Sequence, residues 1–423
     1  MATHLPRILL FTLTAILVWP SPAPAQRPPV RPAVLVNPHV QGNGTARTIQ
    51  EGIDMVAPGG KVMVLPGTYA EAVTIEKGLT LEAVGGESGP VIVAPPETPE
   101  VAILVETPDP VVIRGLTVQY THTGVTGGAG IRGQGLVDLT IEETMVMAVN
   151  PPMAMSSLIV ARTNDARMVL GKRARLVVRH SLLDGKITDR PAPFPQIFGI
   201  TVGSDIDAVL EENVIRRTGG ACILVLTRQD LGGETNADIV GNDLDECHPL
   251  GRIAAIIAGP PAPLPPGTVT ATGTVNIVGN TISNSSESCF PTSAIHYEFY
   301  SGRIEHNRIL NVVQACAMPN ARTHPSAIWV GAIRPFVGPA AAPVVRFNDI
   351  VGNAGAGLRV APNITNPPDA TCNWWGSADG PSGAGPGSGD AVVVETGAAT
   401  PDFRPWASAP IAETDETTCT GGN

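Results

Sequence analysis

Residues 295–300 read Ile-His-Tyr-Glu-Phe-Tyr and hold two of the four tyrosines in the chain. Alternation along a strand places His296, Glu298 and Tyr300 on one face and Ile295, Tyr297 and Phe299 on the other. An imidazole beside a carboxylate can move protons near neutral pH. Aromatic faces set among polar groups suit the C–H surfaces and hydroxyls of a sugar. The segment Ala327-Ile328-Trp329 shares the Ala-Ile start of Ala294-Ile295-His296, which sets Trp329 beside His296. His296, Glu298, Tyr300 and Trp329 are therefore expected as an exposed carbohydrate-binding row. Acid–base catalysis and an ordinary sheet surface are the alternatives.

Three further concentrations carry chemistry. Between Arg162 and Arg190 stand eight basic residues against three acids, an island suited to a polyanion, with Lys172, Arg173, Arg175 and Arg179 at its centre. A solvated charge run is its plainer reading. The pairs Asp205 with Asp207 and Asp243 with Asp245 could serve as paired acids or as a Ca2+ site; they also suit ordinary turns. Met145, Met147, Met153 and Met155 offer soft ligands for Cu(I) or adaptable packing. No HExxH, G-x-S-x-G or glycine-rich phosphate loop occurs.

The elements that must position these residues are short and numerous. Gly (46) and Pro (41) punctuate brief runs of Val, Ile, Leu and Thr, which reads as many short strands and almost no helix. The net charge of -11 opposes a nucleic-acid partner. Residues 1–25, with Arg7, an apolar run from Ile8 to Trp19 and Ala23-x-Ala25, read as a cleavable signal peptide, hence export. No later stretch is apolar enough to insert in a membrane, and the expected state is a monomer. Residues 26–44 form a Pro-rich segment.

Within residues 45–410 one motif recurs: an apolar residue, two variable ones, a small or polar one, a variable one and a second apolar one. It runs Ile113–Val118, Ile141–Val146, Val178–Leu183, Leu210–Ile215, Ile239–Leu244, Ile277–Ile282, Ile304–Ile309 and Val345–Ile350. The fourth position becomes Asn at Asn213, Asn242, Asn280, Asn307 and Asn348, spaced by 29, 38, 27 and 41 residues. Asn tolerates the left-handed turn conformation, and stacked amides can bond from coil to coil. Uneven spacing fits a constant coil with loops of variable length.

These residues resemble the right-handed parallel β-helix proteins of the pectate-lyase-like superfamily. The opening Thr48-Ile-Gln-Glu51 to Gly60, then Lys61 to Ile75, is similar to the start of such proteins, and Asn373-Trp374-Trp375-Gly376 to their C-terminal ends. The resemblance implies an all-β, single-stranded right-handed parallel β-helix with a short N-terminal capping helix, a cap coil at 370–410 and a tail at 411–423. Thr48 with Glu51 reads as a capping box, and Ile49, Ile53 and Val56 share one helical face, with Pro58-Gly59-Gly60 ending the helix. Asn373 continues the Asn series, and Trp375 and Trp406 are expected to close the solenoid's end.

Counted from the ladder residue, Cys222, Cys289 and Cys316 share position nine, so Cys289 and Cys316 fall on successive coils within disulfide reach. Cys222 with Cys247 and Cys372 with Cys419 follow by proximity and elimination, with free buried thiols as the alternative. The coil hosts lyases, hydrolases, esterases, epimerases and binding proteins. Segments typical of polygalacturonases (Asn-Thr-Asp, Arg-Ile-Lys), pectin methylesterases (Gln-Asp-Thr-Leu, Asp-Phe-Ile-Phe-Gly) and pectate lyases (Arg-x-Pro-x-x-Arg) do not occur. A loose resemblance to the periplasmic copper-binding β-helix proteins of the nitrous-oxide reductase system would imply copper handling. Recognition of an extended polysaccharide is the leading expectation, with a polyuronate-active enzyme and a structural or copper-handling solenoid beside it.

Overall fold

The computed structural model describes residues 31–39, 45–85, 91–93, 101–120, 127–149, 156–163, 172–186, 197–226, 234–247, 253–259, 273–284, 292–312, 325–332, 341–411 and 419. Three parallel sheets run the length of the molecule. Sheet 1 has twelve strands and ends at Val344–Arg346, sheet 2 has ten and ends at Asp349–Val351, and sheet 3 has twelve with Gly389–Val394 near its end. A coil gives one strand to each. Asp138–Glu142 lies in sheet 1, Met145–Ala148 in sheet 2 and Ser156–Arg162 in sheet 3, before Ala174–Arg179 returns to sheet 1. The chain is thus the right-handed parallel β-helix the sequence predicts, with the hand that parallel crossovers take.

The recurring motif spans the corner between sheets 1 and 2. Its first apolar residues, such as Ile141, Val178, Leu210 and Ile239, stack in register inside sheet 1. Its last, such as Val146, Leu183, Ile215 and Leu244, stack inside sheet 2. All eight are buried in one core that runs from Val34 to Trp406. Each such side chain contributes about 1.5–3 kcal/mol by leaving water.

Asparagine fills the corner between them. From Asn213 through Asn242, Asn280, Asn307 and Asn348 to Asn373, each backbone N–H and each Nδ2 donates to the next residue's Oδ1 at 2.9–3.0 Å. The left-handed conformation belongs not to the asparagine, as the sequence suggested, but to the residue before it. Glu212, His306, Phe347 and Cys372 have φ of 50, 56, 55 and 62°, and glycine takes the place at Gly241 and Gly279. That turn aims the asparagine inward, where its amide, as at Asn280, bonds backbone groups of the preceding coil and of its own and the side chain of the next asparagine.

The helix Ile49–Met55 covers the first coil. The Thr48 hydroxyl accepts from Glu51 N–H at 3.1 Å, and the Glu71 carboxylate accepts from Ile49 and Gln50 N–H at 2.7 and 3.0 Å. Ile49, Ile53 and Val56 are buried as their spacing predicts. The helix stops at Met55, so Pro58-Gly59-Gly60 lies within the strand Val56–Val64, not at the helix end. The strand Arg31–Val36 pairs with both Thr45–Ala46 and Val56–Val64, which places part of the Pro-rich segment inside sheet 1, ahead of residue 45.

At the other end Trp375 is wholly buried, and Trp406 packs on Gly380, where a Cβ would stand 2.4 Å from the indole. The disulfide Cys372–Cys419, with Cα atoms 5.2 Å apart, ties the tail to this cap. Cys222–Cys247, with Cα atoms 5.5 Å apart, links neighbouring coils inside the core. Cys289, Cys316 and the N-terminal apolar run lie outside the described residues. Among the described residues no helix is long and apolar enough to cross a membrane.

Candidate functional site

Within a longer row on the outer face of sheet 3, which runs from Thr74 to Val393, seven consecutive strands carry Val160, Thr201, Leu224, Ile257, His296, Trp329 and Arg359, each the register partner of the next. The inward neighbours Ile295, Ile328 and Leu358 fill the core, which turns His296, Trp329 and Arg359 outward. His296 and Trp329 are adjacent as the sequence predicts, with ring centroids 6.4 Å apart and edge to face. The Arg359 guanidinium lies over the Trp329 ring at 5.4 Å and reaches Glu395 at 3.3 Å.

The expected exposure is not found. His296 is 1% exposed, Trp329 4%, and Glu298 and Arg359 6% each. The physical cause is the composition of the face. Leu224 and Ile257 sit in the same row and pack with Ala221, Ala254, Phe198 and Leu226 in a second apolar cluster outside the solenoid core. A surface of that kind is removed from water, and the polar members of the row share its burial. Tyr300 leaves the row altogether. The positive φ of Phe299 (70°) breaks the alternation, and Tyr300 turns into the core against Tyr297, their centroids 6.5 Å apart.

The polar atoms of the row have unusual surroundings. His296 Nε2 is 3.0 Å from the Gly331 carbonyl oxygen, which can only accept, so Nε2 carries the proton and Nδ1 presents a lone pair. Glu298 Oε2 stands 3.6 Å from the same Nε2. Glycine at 259 makes room for the carboxyl, since a Cβ there would lie 3.0 Å from Glu298 Cβ. Burial pulls the imidazole down to about 4, against the opposing bond to Gly331, and pushes the Glu298 carboxyl up to about 8. Both side chains are therefore uncharged near neutral pH.

Four buried atoms on this face have no hydrogen-bond partner among the described residues: His296 Nδ1, Trp329 Nε1, Arg359 Nε and Ser326 Oγ. Ser326 lies in the parallel row Ala254, Ser293, Ser326. An unpartnered buried polar group costs about 1–3 kcal/mol. Trp375 Nε1 in the cap is equally buried and without a partner among the described residues, so it is the gathering of four such atoms on three successive coils that marks this face. Sequence reasoning found His296, Glu298 and Trp329 but missed Ser326, Arg359, Gly331 and Gly259. Arg359 had one readable signal: Leu358-Arg359-Val360 repeats the apolar–outward–apolar form of Ile328-Trp329-Val330.

The basic island is differently placed. Arg175 and Arg179 are on the outer face of sheet 1, and each cation there has a carboxylate. Arg173 bonds Asp207 at 2.7 and 2.8 Å, Arg175 meets Asp138 at 3.1 Å, and Arg179 shares Glu142 with Arg114. Asp207 holds Arg173 above its ordinary range, and burial of Glu142 is outweighed by its two arginines, which keep its carboxyl low. The expected free positive patch is thus a ladder of alternating sign, Glu82, Arg114, Glu142, Arg179, Glu211. Among the described residues, Lys172 alone of the four stands exposed with no carboxylate bonded to it.

Three of the four paired acids are engaged locally, and the Asp243 side chain is exposed. Asp207 is held by Arg173 and Asn236, Asp205 accepts from Glu234 N–H, and Asp245 accepts from Ser283 and Asn284. Among the described residues no three His, Cys, Asp or Glu side chains gather as metal ligands. Met145 and Met147 flank the inward Val146 on sheet 2, while Met153 and Met155 fall outside the described residues.

No family model and no curated protein matches the chain. Among solved structures it is similar to a pectin methylesterase from Aspergillus niger in deglycosylated form, at 10% identity and a TM-score of 0.28, over 75% of this chain and 93% of that one. It is also similar to ORF18 of Geobacillus virus E2, at 11% identity and a TM-score of 0.24, over 81% of this chain and 56% of that one.

Proposed function

We propose that the protein is an exported β-helix that binds an extended carbohydrate on the outer face of sheet 3, with His296, Glu298, Trp329 and Arg359 as its centre. The observation that carries this reading is the cluster of buried atoms on that face with no partner among the described residues, His296 Nδ1, Trp329 Nε1, Arg359 Nε and Ser326 Oγ. Sugar hydroxyls both donate and accept, so a row of them can complete such a set. Successive coils about 4.8 Å apart give a regular track for an extended chain.

The test is retention on immobilised polysaccharides and on a glycan array. The wild-type protein is expected to bind at least one glycan, and His296→Ala with Trp329→Ala to abolish it. Binding that survives the double substitution sinks the site. A second reading, catalysis at the same place, has one observation behind it: a neutral imidazole and a neutral carboxyl 3.6 Å apart. Release of reducing ends or of unsaturated uronate absorbance, lost in Glu298→Gln, would favour it over binding alone.

A further inference from the structure

The charges and hydrogen-bond roles on this face narrow the ligand. Arg359 is the cation in the row's polar half, and Glu395 already meets it at 3.3 Å. The lone pair of His296 Nδ1 asks for a donor, which an ionised carboxylate lacks. Trp329 Nε1 and Arg359 Nε ask for acceptors, and Ser326 Oγ takes either. Alternating donors and acceptors are what adjacent hydroxyls of one sugar ring supply. An added anion would find no uncompensated positive charge in a buried setting, where an unpaired charge is costly.

We infer that the sugar unit seated on His296, Trp329 and Arg359 is neutral, presenting hydroxyls and no carboxylate. This rests on the carbohydrate reading of the same face and specifies its ligand class. The protonation states agree with it: with His296 and Glu298 both uncharged near neutral pH, the face has no net charge to offer a polyuronate. Glu298 in its protonated form adds a hydroxyl donor.

Affinity electrophoresis separates the possibilities. The probes are soluble neutral polysaccharides (mixed-linkage β-glucan, xyloglucan, galactomannan, dextran) and two polyuronates (polygalacturonate, alginate), run with wild type, Ser326→Ala and Trp329→Phe. A neutral polysaccharide is expected to retard the wild type while the polyuronates do not. Each variant is expected to weaken retardation about tenfold, the equivalent of one lost hydrogen bond of about 1.4 kcal/mol. Ser326→Ala removes only an atom that bonds to no described residue, so its thermal midpoint is expected to hold or rise, which separates a ligand contact from a structural one; Trp329→Phe also shrinks a buried ring that packs on His296 and Arg359, so it is read by retardation alone. Polyuronate retardation that the variants weaken would overturn neutrality while the carbohydrate reading stands. Neutral-glycan retardation that the variants leave unchanged would overturn the placement of the sugar. If no polysaccharide retards the protein, both the inference and the carbohydrate reading fail.

Discussion

Two buried polar rows run from coil to coil, and they differ in one respect. In the corner between sheets 1 and 2, each asparagine amide is used on both sides: Asn280, for instance, donates to Asn307 and to the Ile239 carbonyl and accepts from Asn242. On the outer face of sheet 3, His296, Trp329 and Arg359 stack with the same register, yet each keeps an atom without a partner among the described residues. Equal burial with unequal satisfaction sets the clustered row of sheet 3 apart from the asparagine corner. The exposed ladder of sheet 1 is a third case, in which charges of alternating sign satisfy one another at the surface.

The contrast can be broken most sharply at Asn280. Asn280→Ala leaves buried groups of the neighbouring coils unpaired and should cost about 3 kcal/mol, read as a lower midpoint in urea unfolding. A loss under about 1 kcal/mol would mean that the ladder is not what pins the corner.

The next effect is on pH dependence. The unfolded chain protonates His296 from about 6.5, whereas the folded chain resists to about 4, so this contribution to stability is lost as pH falls through that window. Glu298 acts oppositely: the folded carboxyl keeps its proton to about 8 and the unfolded one gives it up from 4.5, so stability is lost as pH rises through that range. Thermal midpoints should therefore decline from about pH 6.5 to 8, where Glu298 acts alone. In Glu298→Gln that decline should flatten, and an unchanged alkaline slope would remove Glu298 from the account.

Smaller effects belong to sheet 1. Glu142→Gln weakens two arginine contacts whose cations are half exposed, and about 1 kcal/mol should be lost. Smaller still, Arg175→Ala should change stability by under about 0.5 kcal/mol, since its pair with Asp138 is open to solvent and screened. Added salt should weaken the Glu142 contacts in the wild type and leave the asparagine corner unmoved, which chemical unfolding at two ionic strengths would register.

Much of the coil was readable because its rules are local. The motif names the inward residues, the asparagine series fixes the corner, and the shared Ala-Ile start aligns Trp329 with His296. The partners of the basic island were not readable. Arg173, Arg175 and Arg179 meet carboxylates 34, 37 and 37 residues away, at distances set by loops of unequal length. Tyr300 was misplaced for a related reason: a single left-handed residue, Phe299, ends the alternation that had put it outside.

The sequence by itself determined the repeating coil, its core, its helical start and its tryptophan-bearing end, because these follow from residue type at short spacing. Only the tertiary structure decided which polar groups have partners. Satisfaction depends on what the neighbouring coils bring within about 3 Å, and no spacing along the chain encodes that. His296 and Glu298 could be seen in the sequence as chemistry-bearing residues. That they are buried, uncharged and set beside Trp329 and Arg359 with atoms to spare is a property of the assembled solenoid.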